Sequence, residues 1–216
     1  MERPVTRTEN SLPADPKPAV ARGYDLIGDR YGRRTIESAD RSRSKYERAL
    51  IEGSSAESSL LNLGCGNGYH SLELAKRVGP EGRVIGVDIQ PEMLDLLKVR
   101  AREQGIRNVD LIVGEIHDPR LEKESCDLIL MADVYHELSH PAEVLALLRS
   151  ALKPGGRVVA LEFRGEDPAV PIKPKHKMTK AQVVAEFTAN GFEKCSPPVA
   201  LDEPGRLIAE AAISAP

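Results

Sequence analysis

From Ser59 onward, short apolar runs alternate with longer stretches in which apolar residues recur every three or four positions. Ser59-Leu-Leu-Asn-Leu63, Arg83-Val-Ile-Gly-Val87, Val109–Val113 and Cys126–Ala132 read as buried strands. Arg157–Phe163 reads as a fifth, after a Lys153-Pro-Gly-Gly156 turn. Between them, Tyr69–Val78 predicts a helix with Leu72, Ala75 and Val78 inward. Pro91 suits a first helical turn and opens a second helix, which carries Leu94, Leu97 and Ala101 to a stop at Gly105. Pro141–Leu152 predicts a third, with Val144, Leu147, Leu148 and Ala151 inward, and Thr179 opens a fourth after a proline-rich loop over 165–178. Two further strands follow near Phe192–Val199 and Arg206–Ser214; the Asp202-Glu-Pro-Gly205 turn between them is too short for a crossover helix, so they should pair as an antiparallel hairpin.

Strands that are apolar throughout and alternate with helices imply a sheet covered on both faces. The fold class is therefore α/β: a doubly wound, Rossmann-like, seven-stranded sheet, mostly parallel, with a C-terminal antiparallel hairpin. Ligands of such sheets lie at the carboxyl ends of the strands, where the strand order reverses. Upstream, residues 1–21 are polar, hold four prolines and read as a flexible leader. Residues 22–54 are charged and read as a helical segment before the main domain at 55–216.

Composition narrows the partners. With 30 Lys and Arg against 33 Asp and Glu, the net charge of -3 gives no field that would gather a phosphate backbone or an acidic membrane. Aromatic residues make up 4% and Trp is absent, which argues against a base-stacking surface. The expectation is thus no nucleic acid and no membrane partner, and a monomer or homodimer. Cys65, Cys126 and Cys195 are odd in number and widely spaced, which fits reduced thiols in a cytoplasmic protein better than a disulfide framework or a CxxC metal site.

The chemistry concentrates after the first two strands. Strand one runs into Gly64-Cys-Gly-Asn-Gly68 and a helix, so the glycines permit a sharp turn and a close approach of backbone to ligand. A dinucleotide fingerprint would need a third glycine at position 69, which is Tyr69. Asp88 follows strand two, where a carboxylate can accept from both hydroxyls of a ribose. Loop and acid together point to an adenosine-containing ligand. His136 and Glu137 follow strand four at the mouth of such a site; His136 is a candidate general base, and Tyr135 a candidate for orienting an acceptor. The 165–178 loop brings Lys173, Lys175, His176 and Lys177 to the same end, where cations could hold an acidic group of the acceptor. Glu137, Arg164, Lys175 and His176 are the candidate substrate contacts.

In these segments the chain resembles the class I S-adenosylmethionine-dependent methyltransferases. Leu61-Asn-Leu-Gly-Cys-Gly-Asn-Gly68 resembles their first motif, Val87-Asp-Ile-Gln-Pro-Glu-Met93 their ribose-binding segment, Gly114-Glu115 the adenine-side segment, and Leu152-Lys-Pro-Gly-Gly-Arg157 the turn before strand five. Asp133-Val-Tyr-His-Glu-Leu138 and Pro171-Ile-Lys-Pro-Lys-His-Lys-Met178 look like a bacterial subgroup acting on small molecules. The resemblance implies S-adenosyl-L-methionine as cofactor and a small-molecule acceptor methylated by in-line displacement. It also implies that residues 55–216 form the cofactor-binding methyltransferase domain. By motif, Asn62, Gly64, Cys65, Gly66 and Gly68 would line the methionine and ribose side, Asp88 and Ile89 the ribose, and Gly114, Glu115 and Ile116 the adenine. Ala132 and Asp133 would lie under the sulfonium, and Tyr24 and Tyr31 would belong to an N-terminal lid over the cofactor. One departure stands out: the family usually has an acid where this chain has Asn62, which removes an attraction for the ligand's ammonium group.

Other chemistries fit less well. No Asn-Pro-Pro-Tyr type segment follows strand four and no Pro-Cys pair is present, so amino- or cytosine-directed nucleic-acid methylation is disfavoured. Asp133 and Glu162 alone do not complete a catechol-type Mg²⁺ site, and no metal is expected. The competing readings are a non-catalytic module that only binds S-adenosylmethionine and a nicotinamide-dependent oxidoreductase.

Overall fold

The computed structural model describes residues 54–170, 172–193, 199–200 and 206–213. The expected leader, most of the expected lid with Tyr24 and Tyr31, Cys195 and the Asp202–Gly205 turn lie outside the described residues. Among the described residues, eight strands and four α-helices follow in the order β1 (Ser59–Leu63), α1 (Tyr69–Val78), β2 (Arg83–Asp88), α2 (Pro91–Glu103), β3 (Val109–Val113), β4 (Cys126–Ala132), α3 (Pro141–Ala151), β5 (Leu152–Arg164), β6 (Lys177–Met178), α4 (Lys180–Ala189), β7 (Val199–Ala200) and β8 (Arg206–Ala212).

They form one sheet in the order β3-β2-β1-β4-β5-β8-β7, with β6 added beside the end of β5. β1 to β5 are parallel, whereas β8 runs antiparallel to both β5 and β7. This is the expected doubly wound sheet ending in a hairpin. The strand order reverses between β1 and β4. There Leu63 pairs with Val87 on one side and Met131 on the other, so the carboxyl ends of β1, β2 and β4 lie level.

Alternate residues of each strand feed opposite faces. Leu60, Val84, Leu128, Leu130 and Val159 pack with Leu74, Ala75 and Val78 of α1. Leu61, Leu63, Ile85, Ile129, Met131 and Val158 pack with Leu145 and Leu148 of α3 and Val183 and Phe187 of α4. Each fully buried aliphatic side chain contributes about 1.5–3 kcal/mol, so both faces hold the sheet rigid beneath the site. Among the described residues no helix is long and apolar enough to cross a membrane.

Three details depart from the sequence reading. In α3 the buried residues are Val144, Leu145, Leu148 and Ala151, and Leu147 is 40% exposed. The buried stripe runs through Leu145, Leu148 and Leu152 at i, i+3 and i+7, because the helix leads directly into β5 at Leu152, and that turns Leu147 outward. The Lys153–Gly156 turn lies inside β5: Leu152 pairs with Cys126 and Arg157 with Leu128, and Gly155 (φ 76°) takes up the irregularity. The 165–178 loop ends in a strand, since Phe163 and Arg164 pair with Lys177 and Met178. Thr179 does cap α4, its hydroxyl accepting from the Gln182 N–H at 3.1 Å.

Candidate active site

The glycine loop turns left-handed three times, at Gly64 (φ 65°), Gly66 (φ 52°) and Gly68 (φ 87°). Two of these glycines are also crowded by the protein itself. A Cβ at Gly64 would lie 2.4 Å from a Val134 methyl, and one at Gly68 would lie 1.9 Å from a Leu97 methyl. At Gly66 the same atom would meet nothing within 4 Å, so the loop leaves open space at its centre.

The backbone of the same glycine is tied to Asp88. The buried carboxylate accepts the Gly66 N–H on Oδ2 (2.8 Å) and the Gln90 N–H on Oδ1 (2.9 Å), while the Asp88 carbonyl accepts the Gly114 N–H at 3.0 Å. Each oxygen therefore keeps a further lone pair for a ligand hydroxyl. Burial pushes the carboxyl up from its ordinary value, and the hydrogen bonds from the Gln90 and Gly66 N–H groups offset only part of this. Beside it, Ile89 (38% exposed) and Ile116 (37%) leave apolar side chains in the open at the ends of β2 and β3. Glu115 is exposed and pairs with Arg120. Gly114 is buried close to a Val87 methyl. A buried carboxylate with spare lone pairs, flanked by two exposed aliphatics, suits an adenosine: acceptors for its ribose and flat surfaces for its base.

Asn62 is buried and donates from Nδ2 to the Ser71 hydroxyl at 3.0 Å. It ties the end of β1 to α1. The Cys65 thiol is buried, and burial and the Asp88 charge push its pKa far up, so it is an inert packing group.

At the end of β4, Ala132 leads into Asp133, a non-glycine residue at φ 56°, held there by its N–H to the Leu161 carbonyl at 2.9 Å. This bend starts a short 3₁₀ turn, Tyr135–Glu137. A second one, Pro174–His176, comes from the loop after β5, and pairing of β6 with β5 brings it alongside. Together they assemble a cluster that joins residues 40 positions apart. His136 Nδ1 meets Glu162 Oε2 at 2.6 Å and its Nε2 meets His176 Nδ1 at 3.1 Å; Glu137 Oε1 lies 3.7 Å from the former histidine and 3.9 Å from the latter. Glu162 is fully buried and also accepts the backbone N–H groups of Tyr135 (2.8 Å) and His136 (3.3 Å). Because a carboxylate only accepts, His136 carries its proton on Nδ1 and presents the Nε2 lone pair. Burial alone would lower the His136 imidazole, but the hydrogen bond and charge of Glu162, with Glu137 and Asp133, outweigh it and hold the pKa above the usual histidine value. His176 goes the other way, lowered by burial and by the positive charge of its neighbours His136 and Lys175.

Three further candidates, Tyr135, Arg164 and Lys175, have different surroundings. Tyr135 is fully buried, its hydroxyl 2.6 Å from Glu186 Oε2 and its ring edge-on to Phe187, so its side chain is packed into the core. Arg164 lies 3.4 Å from Asp167, and Lys175 is exposed. Glu162 is the residue that sequence reasoning placed only as half of a metal pair; its inward position on β5 was the available signal for its hydrogen bond to His136. A depression lined by Ser54, Ser58, Asp127 and Gly156 lies at the opposite, amino end of the strands, remote from all of these groups.

Fold and site thus define a doubly wound cofactor domain with an adenosine-fitting end and a histidine–carboxylate mouth. Residues 54–210 match the model of a methyltransferase domain family. The chain is 34% identical over 114 residues to a demethylmenaquinone methyltransferase of Lactococcus lactis, a match covering 53% of this chain and 44% of that protein. It is 31% identical over 143 residues to the aklanonic acid methyltransferase DauC of a Streptomyces species, covering 59% and 64%. Among solved structures, a SAM-dependent methyltransferase from Aquifex aeolicus shares the fold at a TM-score of 0.72 and 23% identity, covering 92% of this chain and 98% of that one. The cyclase SpnF shares it at 0.76 and 15% identity, covering 91% and 96%. The matched stretches span less than two thirds of the curated relatives' length. The chain belongs to the methyltransferase domain family, among the class I S-adenosylmethionine-dependent methyltransferases.

Proposed function

We propose that the chain methylates a small-molecule acceptor, using S-adenosylmethionine held over the glycine loop. The observation that carries this is the buried Asp88 carboxylate, fixed by Gly66 and Gln90 with one lone pair spare on each oxygen. Bound there, the cofactor supplies a methyl group already activated on a sulfonium, so the protein's tasks are alignment, exclusion of water and, for a hydroxyl or similar acceptor, removal of one proton. Asp88 and Ile89 would hold the ribose, Glu115 and Ile116 the adenine, and Asn62 with the loop backbone the methionine portion. The bend at Asp133 would bound the space beneath the reacting methyl.

His136 is the proposed base. Glu162 fixes its tautomer and leaves Nε2 facing the side from which Glu137 and His176 are reached. Those two, with Arg164 and Lys175, are the proposed acceptor contacts. The relatives named for demethylmenaquinone and aklanonic acid set the first compounds to try. The test is a panel of such quinones and aromatic acids with methyl-labelled cofactor. With an accepted compound, His136→Ala should lower turnover by about 100-fold or more while cofactor affinity changes little. Unchanged turnover would remove His136 as the base. Cofactor binding with no transfer to any compound would favour a binding module; the fold shared with a cyclase shows that it does not by itself dictate methyl transfer.

A further inference from the structure

We infer that His136, Glu137 and His176 form a binding site for a divalent first-row transition-metal ion, with Glu162 as its positioning residue. The three ligand atoms, His136 Nε2, Glu137 Oε1 and His176 Nδ1, are 3.1, 3.7 and 3.9 Å apart in pairs. Ligand atoms at two corners of a tetrahedron with bonds of about 2.0–2.1 Å lie about 3.3 Å apart, so this triangle closes on a metal with shifts of a few tenths of an ångström. Two imidazoles and one carboxylate are a zinc- or iron-type donor set, and the nitrogen ligands disfavour Mg²⁺ and Ca²⁺.

The surroundings match what such an ion needs. The Nδ1–H of His136 is bound to a fully buried carboxylate, the carboxylate–histidine arrangement that sets the tautomer and orientation of a ligating imidazole. His136 itself is nearly buried (side chain 6% exposed), whereas Glu137 (48%) and His176 (35%) stand at the open side, which gives an ion a way in and leaves coordination positions facing the acceptor region. Without an ion the two imidazoles lie edge to face at 5.2 Å and one must lend its N–H to the other. With an ion, both lone pairs are used. Nothing in the linear spacing reveals the set, because His176 reaches it only through the β5–β6 pairing.

An ion on Nε2 holds the lone pair that would accept the acceptor's proton at the proposed base, so ion and proton compete for one atom. The test of this site does not depend on that activity. The full chain, stripped of metal, is titrated with Co²⁺ by visible absorption and with Zn²⁺ and Mg²⁺ by calorimetry at neutral pH. The expected result is one saturable Zn²⁺ equivalent, Co²⁺ bands of a four- or five-coordinate N/O site without thiolate charge transfer, and no Mg²⁺ binding. His176→Ala and Glu137→Ala, both on the surface, should each lower Zn²⁺ affinity by more than the roughly 10–100-fold expected for Glu162→Gln. Cys195→Ala should bind as the parent does. Failure of Zn²⁺ to saturate, binding unaffected by His176→Ala, thiolate bands, or Mg²⁺ binding would each overturn the inference, and S-adenosylmethionine binding measured on the same samples reports separately on the methyltransferase reading.

Discussion

At the scale of single residues, the proposed hold on the cofactor turns on two side chains near the loop. Asp88 must be ionised to accept two ribose hydroxyls, and burial raises its pKa. S-adenosylmethionine affinity should therefore be full above that raised value and fall as pH drops through it, beginning above the ordinary carboxylate range; calorimetry across a pH series checks this. In the unliganded protein the sign is opposite: a carboxyl raised by folding favours the folded state when protonated and loses that contribution as pH rises through its folded pKa. Asn62 is the second case. Asn62→Asp would place a charge against Ser71 in a buried position, so it should tighten S-adenosylmethionine roughly tenfold through one charge-assisted bond to the ligand's ammonium, while lowering the unliganded melting temperature. Binding and thermal denaturation on the same variant measure both halves.

At the scale of elements, the glycine loop divides into positions fixed by packing and one fixed by conformation and ligand. Gly66→Ala meets no neighbour and should cost only the left-handed penalty of about 1–2 kcal/mol. Gly64→Ala and Gly68→Ala add a clash with Val134 and Leu97 and should cost clearly more in urea denaturation, although all three are glycines of one motif. Most of the framework was legible beforehand: the apolar runs placed β1, β3, β4 and α1 at their observed bounds, and Gly-x-Gly-x-Gly and Asp88, singled out together in the sequence, meet in the structure. What the sequence hid depends on long-range pairing. The stripe of α3 turned on its junction with β5, the loop at 165–178 on a two-residue strand, and the role of Tyr135 on Glu186, 51 positions away. His136 was visible as a candidate, but its partners Glu162 and His176 lie 26 and 40 positions downstream and are joined to it only by the fold.

At the scale of the molecule, the sheet brings two kinds of chemistry to its carboxyl end. On the β1–β2–β3 side, backbone N–H groups and one buried acid form the proposed site for a ribose and base; on the β4–β5 side, a buried carboxylate holds the histidine proposed as the base. The switch in strand order between β1 and β4 is what places them at one opening. Asp88 is the residue proposed to hold S-adenosylmethionine at this opening. Titration of the full chain and of Asp88→Ala with S-adenosylmethionine, S-adenosylhomocysteine and NAD tests it most directly. The expected result is saturable binding of the first two, no NAD binding, and a loss in Asp88→Ala of about 100-fold or more, since two charge-assisted hydrogen bonds of about 1.5–3 kcal/mol each disappear. Binding of NAD alone, or S-adenosylmethionine affinity unchanged in Asp88→Ala, would contradict it.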